Sequence, residues 1–197
     1  MSVSLRCYST SLGCPKNRVD TERLLGSLGV ALVPVESPDE AELVFINTCA
    51  FIQPATEESV RTIAQAIADI EELPKRPLLA VAGCLVGRYH AEDLAPELPE
   101  VDLWLDNSDL EEWPAMLARK LGLPEPTVPG RILSTGPSYA WLKISDGCRH
   151  ACSFCAIPNI RGGHRSHCKD MIVREARALL DQGVKELNLV AQDLTEW

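Results

Sequence analysis

The sequence lacks an uninterrupted apolar run long enough to cross a lipid bilayer, and the segment from Met1 to Arg6 lacks the apolar core of a signal peptide. It also lacks an excess of positive charge, since 19 lysines and arginines face 28 acidic residues and the formal net charge is −9. The first absence makes a cytoplasmic protein with no membrane partner the expectation. The second argues against tight, direct binding to nucleic acid.

Cysteine, in contrast, is plentiful, with eight residues in a chain of 197. In a reducing compartment, cysteines favour metal or redox roles over disulfides. Cys148, Cys152 and Cys155 stand in a C-x3-C-x2-C spacing on one predicted loop. Three thiolates do not complete a four-ligand site. An iron–sulfur cluster held by them would therefore keep one open iron, where a substrate can bind.

Zinc is the alternative occupant of this loop, with the same cysteines joined by His150 or His164. Zinc favours four sulfur or nitrogen ligands. His150 lies two residues from both Cys148 and Cys152, which is an awkward spacing for a shared ion. The spacing favours iron–sulfur chemistry and leaves the zinc alternative open.

Residues 1–123 alternate predicted strands with predicted helices. One helix carries Leu24, Leu25 and Leu28 and ends at Gly29, and the last helix is expected to be capped by a box of Ser108 and Glu111. The expected strands lie at 5–9, 30–35, 43–47, 78–82 and 101–105. This alternation predicts an α/β fold with a doubly wound parallel sheet.

Cys14, Cys49 and Cys84 each follow the carboxyl end of a predicted strand. Because ligands bind just outside those ends in open α/β sheets, we expect the three thiols to converge on one edge. Each cysteine taken alone is better explained as a small buried hydrophobe. Their equivalent positions favour a shared site instead. By contrast, Cys7 is expected in the core and Cys168 is expected to be incidental.

Prolines and glycines mark residues 124–137 as a linker. Residues 138–197 predict a strand at 139–144, the Cys148 loop, a basic loop at 161–166, a helix capped by Asp170, and a strand at 187–191. Two parallel strands do not close a barrel. We therefore expect the chain to be a fragment, or a product cut short, of a larger α/β protein.

The Cys148 loop, with Phe154 before its last cysteine, resembles the radical S-adenosylmethionine (SAM) superfamily. The resemblance implies that Cys148, Cys152 and Cys155 hold a 4Fe–4S cluster whose open iron chelates SAM. It also implies that residues 138–197 begin a TIM-like barrel, and that Gln192 and Asp193 lie at a SAM contact. The sequence departs from the superfamily pattern here, because Leu194-Thr195 stands where two threonines are usual.

Three further segments, Ser11–Asn17, Asn47–Cys49 and Ala82–Cys84, together resemble the radical-SAM methylthiotransferase family. The resemblance implies that Cys14, Cys49 and Cys84 hold a second 4Fe–4S cluster, which takes part in delivering sulfur. It further implies that SAM is used twice, that a C–H bond becomes C–SCH3, and that an electron donor is a partner. No catalytic residue beyond the cluster cysteines is assigned.

The family has two main branches that differ in substrate. The segments Gly13–Asn17 and Arg161–Ser166 resemble the branch that modifies the β-carbon of an aspartate in the twelfth protein of the small ribosomal subunit. That resemblance implies a ribosomal protein as the substrate and partner. Two alternatives stay open: a methylthiotransferase that modifies an adenosine of tRNA, and a non-catalytic module that binds an iron–sulfur cluster or zinc.

Overall fold

The computed structural model describes residues 4–127 and 129–197 of the chain. Their first part forms a sheet of five parallel strands in the order β2-β1-β3-β4-β5. The strands are β1 (Ser4–Ser11), β2 (Ala31–Pro34), β3 (Leu43–Thr48), β4 (Leu78–Gly83) and β5 (Leu103–Leu105). The five expected strands are all present, each within a few residues of its expected bounds.

Helices follow the strands and cover both faces of this sheet. They are α1 (Pro15–Ser27), α2 (Gln53–Ile70), α3 (Cys84–Tyr89), α4 (Ala91–Leu94) and α5 (Trp113–Leu121). The sheet packs against α1 and α5 on one face and against α2 and α3 on the other. The predicted doubly wound α/β fold is confirmed.

The central strand β3 shows why the sequence gives two cores. Leu43 and Phe45 point into the core under α1 and α5, whereas Val44 and Ile46 point into the core under α2 and α3. All four side chains are fully buried. A strand covered on both faces has no solvent side, so its sequence is a continuous apolar run without alternation.

The strand order places a topological switch between β1 and β3. The chain leaves β1 into α1 on one face and leaves β3 into α2 on the opposite face. The connections therefore part above these two strands, and it is outside the carboxyl ends at such a switch that ligands bind in open α/β sheets.

Two predicted helix caps are wrong. Ser108 and Glu111 do not form a capping box, because α5 begins only at Trp113. Instead, the carboxylate of Asp106 accepts a hydrogen bond at 2.8 Å from the backbone nitrogen of Ser108, at the start of a short 3-10 helix. The buried Trp113 fixes this turn by donating its indole N–H to the Asp106 carbonyl at 2.6 Å. In the last helix, Asp170 lies within the first turn, and Cys168 is the N-cap residue.

The later part of the chain contains β6 (Tyr139–Lys143), β7 (Ser145–Asp146), α6 (Ile157–Arg161), β8 (Arg165–Ser166), α7 (Lys169–Asp181) and β9 (Glu186–Val190). Strands β6 and β9 pair in parallel, and β7 pairs antiparallel with β8. Helix α7 packs on β6 through Leu142 and Leu179. The strand–helix–strand unit is the one expected from the sequence, and the barrel that it would begin stays a prediction.

The segment between α5 and β6 is held tightly against α1. A Cβ atom on Gly26 of α1 would lie 2.4 Å from the backbone nitrogen of Arg131, so only glycine allows this approach. The guanidinium of Arg131 pairs with Glu22 at 2.7 Å and with Glu175 of α7 at 2.9 Å. Linker composition gave no indication of this buried ionic contact. None of the helices in the described ranges is both long and apolar enough to span a membrane.

Candidate functional site

The three dispersed cysteines lie at the carboxyl edge of the five-stranded sheet. Cys14 is the N-cap residue of α1, Cys49 follows β3 directly, and Cys84 is the first residue of α3 after β4. Cys84 is buried, and the other two are partly buried. The structure thus brings them to the edge where the sequence places them, because parallel strands end on the same side.

Asn17 of α1 ties the loops of this edge together. Its side-chain amide donates to the carbonyl of Leu12 at 2.9 Å and to the carbonyl of Thr48 at 2.8 Å. Its side-chain oxygen faces the Sγ atoms of Cys84 at 3.8 Å and Cys14 at 4.0 Å. The sequence contained Asn17 only as the end of a motif, and its structural role needed the fold.

Gly13 makes room for the neighbouring thiol. Its φ is +82°, a left-handed conformation that favours glycine. A Cβ atom on Gly13 would lie 2.6 Å from Cβ and 2.7 Å from Sγ of Cys49. Both the backbone conformation and the close approach of Cys49 therefore require glycine before Cys14.

The neighbouring thiols contribute to the electrostatics of Cys49. Burial raises the pKa of Cys49, and the neighbouring sulfurs of Cys84 and Cys14 raise the same pKa further. The backbone N–H of Phe51 and the guanidinium of Arg161 oppose this shift. Three thiolates at this edge would repel one another, and a metal centre with positive charge would relieve the repulsion.

The spacing of these sulfurs distinguishes two kinds of metal centre. In the described ranges, neither cysteine triad brings its three Sγ atoms all within 4.8 Å of one another. A tetrahedral zinc ion with bonds of about 2.3 Å would hold its sulfurs about 3.8 Å apart. A four-iron cluster carries each cysteine on a different iron and suits a wider spacing. The sulfur-only ligand set at both triads therefore fits an iron–sulfur cluster better than a single zinc ion.

The second triad lies on the loop between β7 and α6. The loop closes through a hydrogen bond of 3.2 Å from the Cys148 backbone nitrogen to the carbonyl of Gly162. Gly147 has a φ of +68°, and a Cβ atom there would lie 2.2 Å from the carbonyl oxygen of Gly163. Cys152 is exposed, whereas Cys148 and Cys155 are partly buried. The loop thus leaves one of its three cysteines exposed to solvent.

The segment 192–197 folds over this loop. Gln192 donates to Asp146 at 3.3 Å, and Asp193 contacts the His150 ring at 2.7 Å. Hydrogen bonds from the hydroxyl and backbone N–H of Thr195, followed by the contact with His150, lower the pKa of Asp193 to about 2. The structure therefore places both candidate SAM contacts beside the Cys148 loop, and it gives Asp193 partners that sequence reasoning missed.

The ligand atoms of Cys148, His150 and Asp193 lie within 4.8 Å of one another. His150 comes close to Cys148 because its ring turns toward Asp193, but Cys152 is not part of this group. The awkward position of His150 for an ion shared with both cysteines stays a prediction. The carboxylate comes from a distant segment, so spacing within the loop gave no indication of it. A single metal ion bound here remains an alternative to a cluster at this loop.

A buried ionic group connects α1 to β6, β7 and α6. Arg161 bonds Asp20 at 2.8 Å and Asp146 at 3.3 Å through Nη1. The ammonium group of Lys143 donates to the same two carboxylates. Lys143 and Asp20 are completely buried, and Arg161 is 4% exposed. The sequence analysis placed Arg161 in a basic loop and missed this group, although a lysine within the apolar strand β6 was an available indication.

The chain is similar to curated proteins named "Ribosomal protein uS12 methylthiotransferase RimO". It is 70% identical over 190 residues to the protein of Nitratidesulfovibrio vulgaris (strain DP4), which covers 96% of this chain and 44% of that protein. It is 58% identical over 197 residues to the protein of Lawsonia intracellularis, and 50% identical over 188 residues to that of Aquifex aeolicus, covering 100% and 94% of this chain. The shares of those two proteins are 45% and 40%, so the chain spans less than half the length of these relatives.

A family model also matches the chain, over the strands and loops that carry Cys14, Cys49 and Cys84. Its description is "Uncharacterized protein family UPF0004", and it covers residues 6–106, just over half of the 197 residues. The matched region contains the whole five-stranded sheet apart from the first two residues of β1. The chain therefore belongs to the protein family UPF0004.

Proposed function

We propose that this chain is part of a radical-SAM methylthiotransferase that converts a C–H bond at the β-carbon of an aspartate in ribosomal protein uS12 to C–SCH3. The observation that carries the proposal is the convergence of Cys14, Cys49 and Cys84 on one sheet edge, in a chain that also holds the C-x3-C-x2-C loop. The names of the relatives support a ribosomal protein as the substrate.

The proposal assigns a role to each part of the chain. Residues 1–123 are the methylthiotransferase domain, residues 124–137 are a linker, and residues 138–197 begin the radical-SAM domain. When bound, the two 4Fe–4S clusters and SAM supply the radical and the sulfur chemistry. The protein works in the cytoplasm with an electron donor and a ribosomal protein as partners, without a membrane and without direct binding to nucleic acid.

The chain's own residues hold these groups and their surroundings. Cys14, Cys49 and Cys84 ligate one cluster at the switch between β1 and β3. The second cluster is ligated by the loop thiols of Cys148, Cys152 and Cys155. Gln192 and Asp193 flank that loop and contact SAM, with Gln192 held by Asp146 and Asp193 held by His150.

Iron counting after anaerobic reconstitution tests the proposal. The chain is expected to bind ~8 iron atoms, and ~4 after either triad is replaced by alanine. The matched control is Cys168→Ala, which removes an exposed thiol outside both triads and should leave the iron content unchanged. An iron content that does not change when Cys14, Cys49 and Cys84 are replaced would contradict the proposal.

The activity is measured with the product of the whole reading frame. Mass spectrometry of uS12 incubated with SAM, a sulfide source and a reductant should show a methylthio group on one aspartate. Modification of a tRNA adenosine, with uS12 unchanged, would instead support the other branch of the family.

A second candidate function, a zinc-binding module, rests on the closeness of Cys148, His150 and Asp193. It predicts one zinc per chain that is lost in His150→Ala and is kept in Cys152→Ala. The proposed cluster predicts that bound metal is lost in Cys152→Ala and kept in His150→Ala, since His150 is not one of the cluster's ligands. Metal analysis of the two variants therefore separates the candidates.

A further inference from the structure

We infer that Arg161 sets the reduction potential of the cluster held by Cys14, Cys49 and Cys84, because its guanidinium reaches Cys84 from the part of the chain that carries the other triad. The inference rests on one part of the proposed function, namely that these three cysteines ligate an iron–sulfur cluster. Arg161 is thus a residue outside both triads that adjusts the reduction potential of the cluster held by one of them.

The two arms of the guanidinium have different partners. Nη1 donates to the carboxylates of Asp20 and Asp146, at 2.8 and 3.3 Å. Nη2 points the other way, toward the side-chain oxygen of Asn17 and toward Sγ of Cys84 at 3.8 Å. The anions therefore lie behind the guanidinium as seen from Cys84, and the positive end faces the thiol.

The surroundings make this contact strong. Arg161 and Cys84 are both buried, so little water screens the charge. The positive charges of Lys143 and Arg161 balance the two carboxylates of Asp20 and Asp146. The guanidinium therefore needs no further anion from solvent. The charge facing Cys84 is thus fixed in place by the fold.

The position of Arg161 is held independently of its own side chain. Helix α6, which ends at Arg161, packs against α3, which begins at Cys84. A Cβ atom on Gly87 of α3 would lie 2.4 Å from the carbonyl oxygen of Ile160, and Asn107 donates to that same carbonyl at 3.3 Å. A substitution of Arg161 therefore changes the charge at Cys84 with the two helices still anchored.

Net charge and hydrogen bonds to sulfur are two of the factors that set cluster potentials. Reduction adds one electron to the cluster and breaks no bond, and a positive group beside a ligating thiolate favours the reduced form. Arg161 therefore raises the potential of this cluster. Because α6 follows the Cys148 loop by a few residues, the same contact connects the electrostatics of one triad to the placement of the other.

The test uses the chain with Cys148, Cys152 and Cys155 replaced by alanine, so that one cluster remains. Dithionite supplies the electron, and the reduced cluster is followed by electron paramagnetic resonance. At a fixed potential, Arg161→Gln should lower the ratio of reduced to oxidised cluster about tenfold, which is about 59 mV for one electron. Arg161→Lys, which keeps the charge, should stay within about threefold of the parent.

The matched control is Arg88→Gln. Arg88 lies on α3, the helix that begins at Cys84, and donates to the carbonyl of Ala50 at 2.6 Å. Its replacement therefore removes one positive charge near the same cluster without removing a hydrogen bond to a thiol. Its potential should equal that of the parent. Equal potentials in Arg161→Gln and the parent, or an equal fall in Arg88→Gln, would overturn the inference.

If Arg161→Gln loses the cluster, a second pair of variants still tests the potential. Asp20→Asn removes the carboxylate that would be left without its arginine, so the double variant Asp20→Asn/Arg161→Gln is compared with Asp20→Asn alone. The same fall in potential is expected. If the parent with one triad binds no iron, the proposed function fails; if it binds ~4 iron atoms and the potentials are equal, only this inference fails.

Discussion

Lys143 of β6 and Asp20 of α1 form an ion pair in which both side chains are completely buried, although 123 residues separate them in the chain. The same ammonium group donates to Asp146. A buried charge is stable only with its partner present, so this pair fixes the position of β6 relative to α1.

Replacement of Lys143 by methionine should therefore destabilise the protein strongly. Asp20 would keep only Arg161 as a partner, and breaking a buried pair costs about 3 to 5 kcal/mol. Lys75→Met is the matched control, because that lysine is 86% exposed beside Glu42 and its loss should cost less than about 1 kcal/mol. Denaturant unfolding measures both. A loss in Lys143→Met no larger than in the control would show that the buried pair contributes nothing.

The pH dependence of stability should include a contribution from Glu175. Hydrogen bonds and charges of Arg23 and Arg131 hold its pKa below the ordinary value, against the opposing effect of burial. A lowered pKa in the folded state means that the stabilisation is complete above pH 4.5 and is lost as the pH falls through the folded-state pKa. Glu175→Gln should thus cost about 2 kcal/mol at pH 7, and the cost should shrink below pH 4.5.

The measurement is the difference in free energy of unfolding between wild type and Glu175→Gln across this pH range. Glu125→Gln, which removes an exposed carboxylate, corrects for general acid effects. A difference that stays constant from pH 7 to acid would mean that the ionisation of Glu175 does not stabilise the fold.

Alanine substitutions at Gly13 and Gly29 distinguish the cost of backbone strain from the cost of a steric clash. Both have positive φ, +82° and +68°, so alanine at either position should cost roughly 1 to 2 kcal/mol. Only Gly13 has a neighbour, since no atom lies within 4 Å of a Cβ on Gly29. In the variant that keeps only the Cys14, Cys49 and Cys84 triad, Gly13→Ala should lose bound iron and Gly29→Ala should keep it. Equal iron contents would argue against the close fit of Gly13 on Cys49.

Cysteine reactivity should follow burial in the reduced, metal-free chain. Burial raises the pKa of Cys7 to about 12, and its side chain lies in the core under α1. The thiolate is the reactive form, so iodoacetamide should modify the exposed Cys152 and Cys168 first and Cys7 last. Peptide mass spectrometry gives the order, and denaturant should abolish it. Modification of Cys7 as fast as Cys168 in native buffer would contradict the expected core position.

Several features could be predicted from the sequence because they depend on neighbouring residues. Continuous apolar runs specify strands buried on both faces, and Gly29 ends α1 because glycine readily adopts its positive φ. The predicted caps at Ser108 and Asp170 failed for the opposite reason. Asp106 caps a short 3-10 helix before α5 and is fixed there by the buried Trp113, whereas Cys168 is the N-cap residue of α7 without a side-chain hydrogen bond. Where each helix begins thus depended on packing between distant residues.

The sequence by itself determined that Cys14, Cys49 and Cys84 share one edge, since a parallel sheet brings every strand's carboxyl end to the same side. Only the tertiary structure decided which groups surround them. Arg161 reaches Cys84 across 77 residues and Asp20 across 141, because α1 lies between the five-stranded sheet and β6. Charge pairs between distant segments depend on distances in space, and spacing along the chain carries no record of those distances.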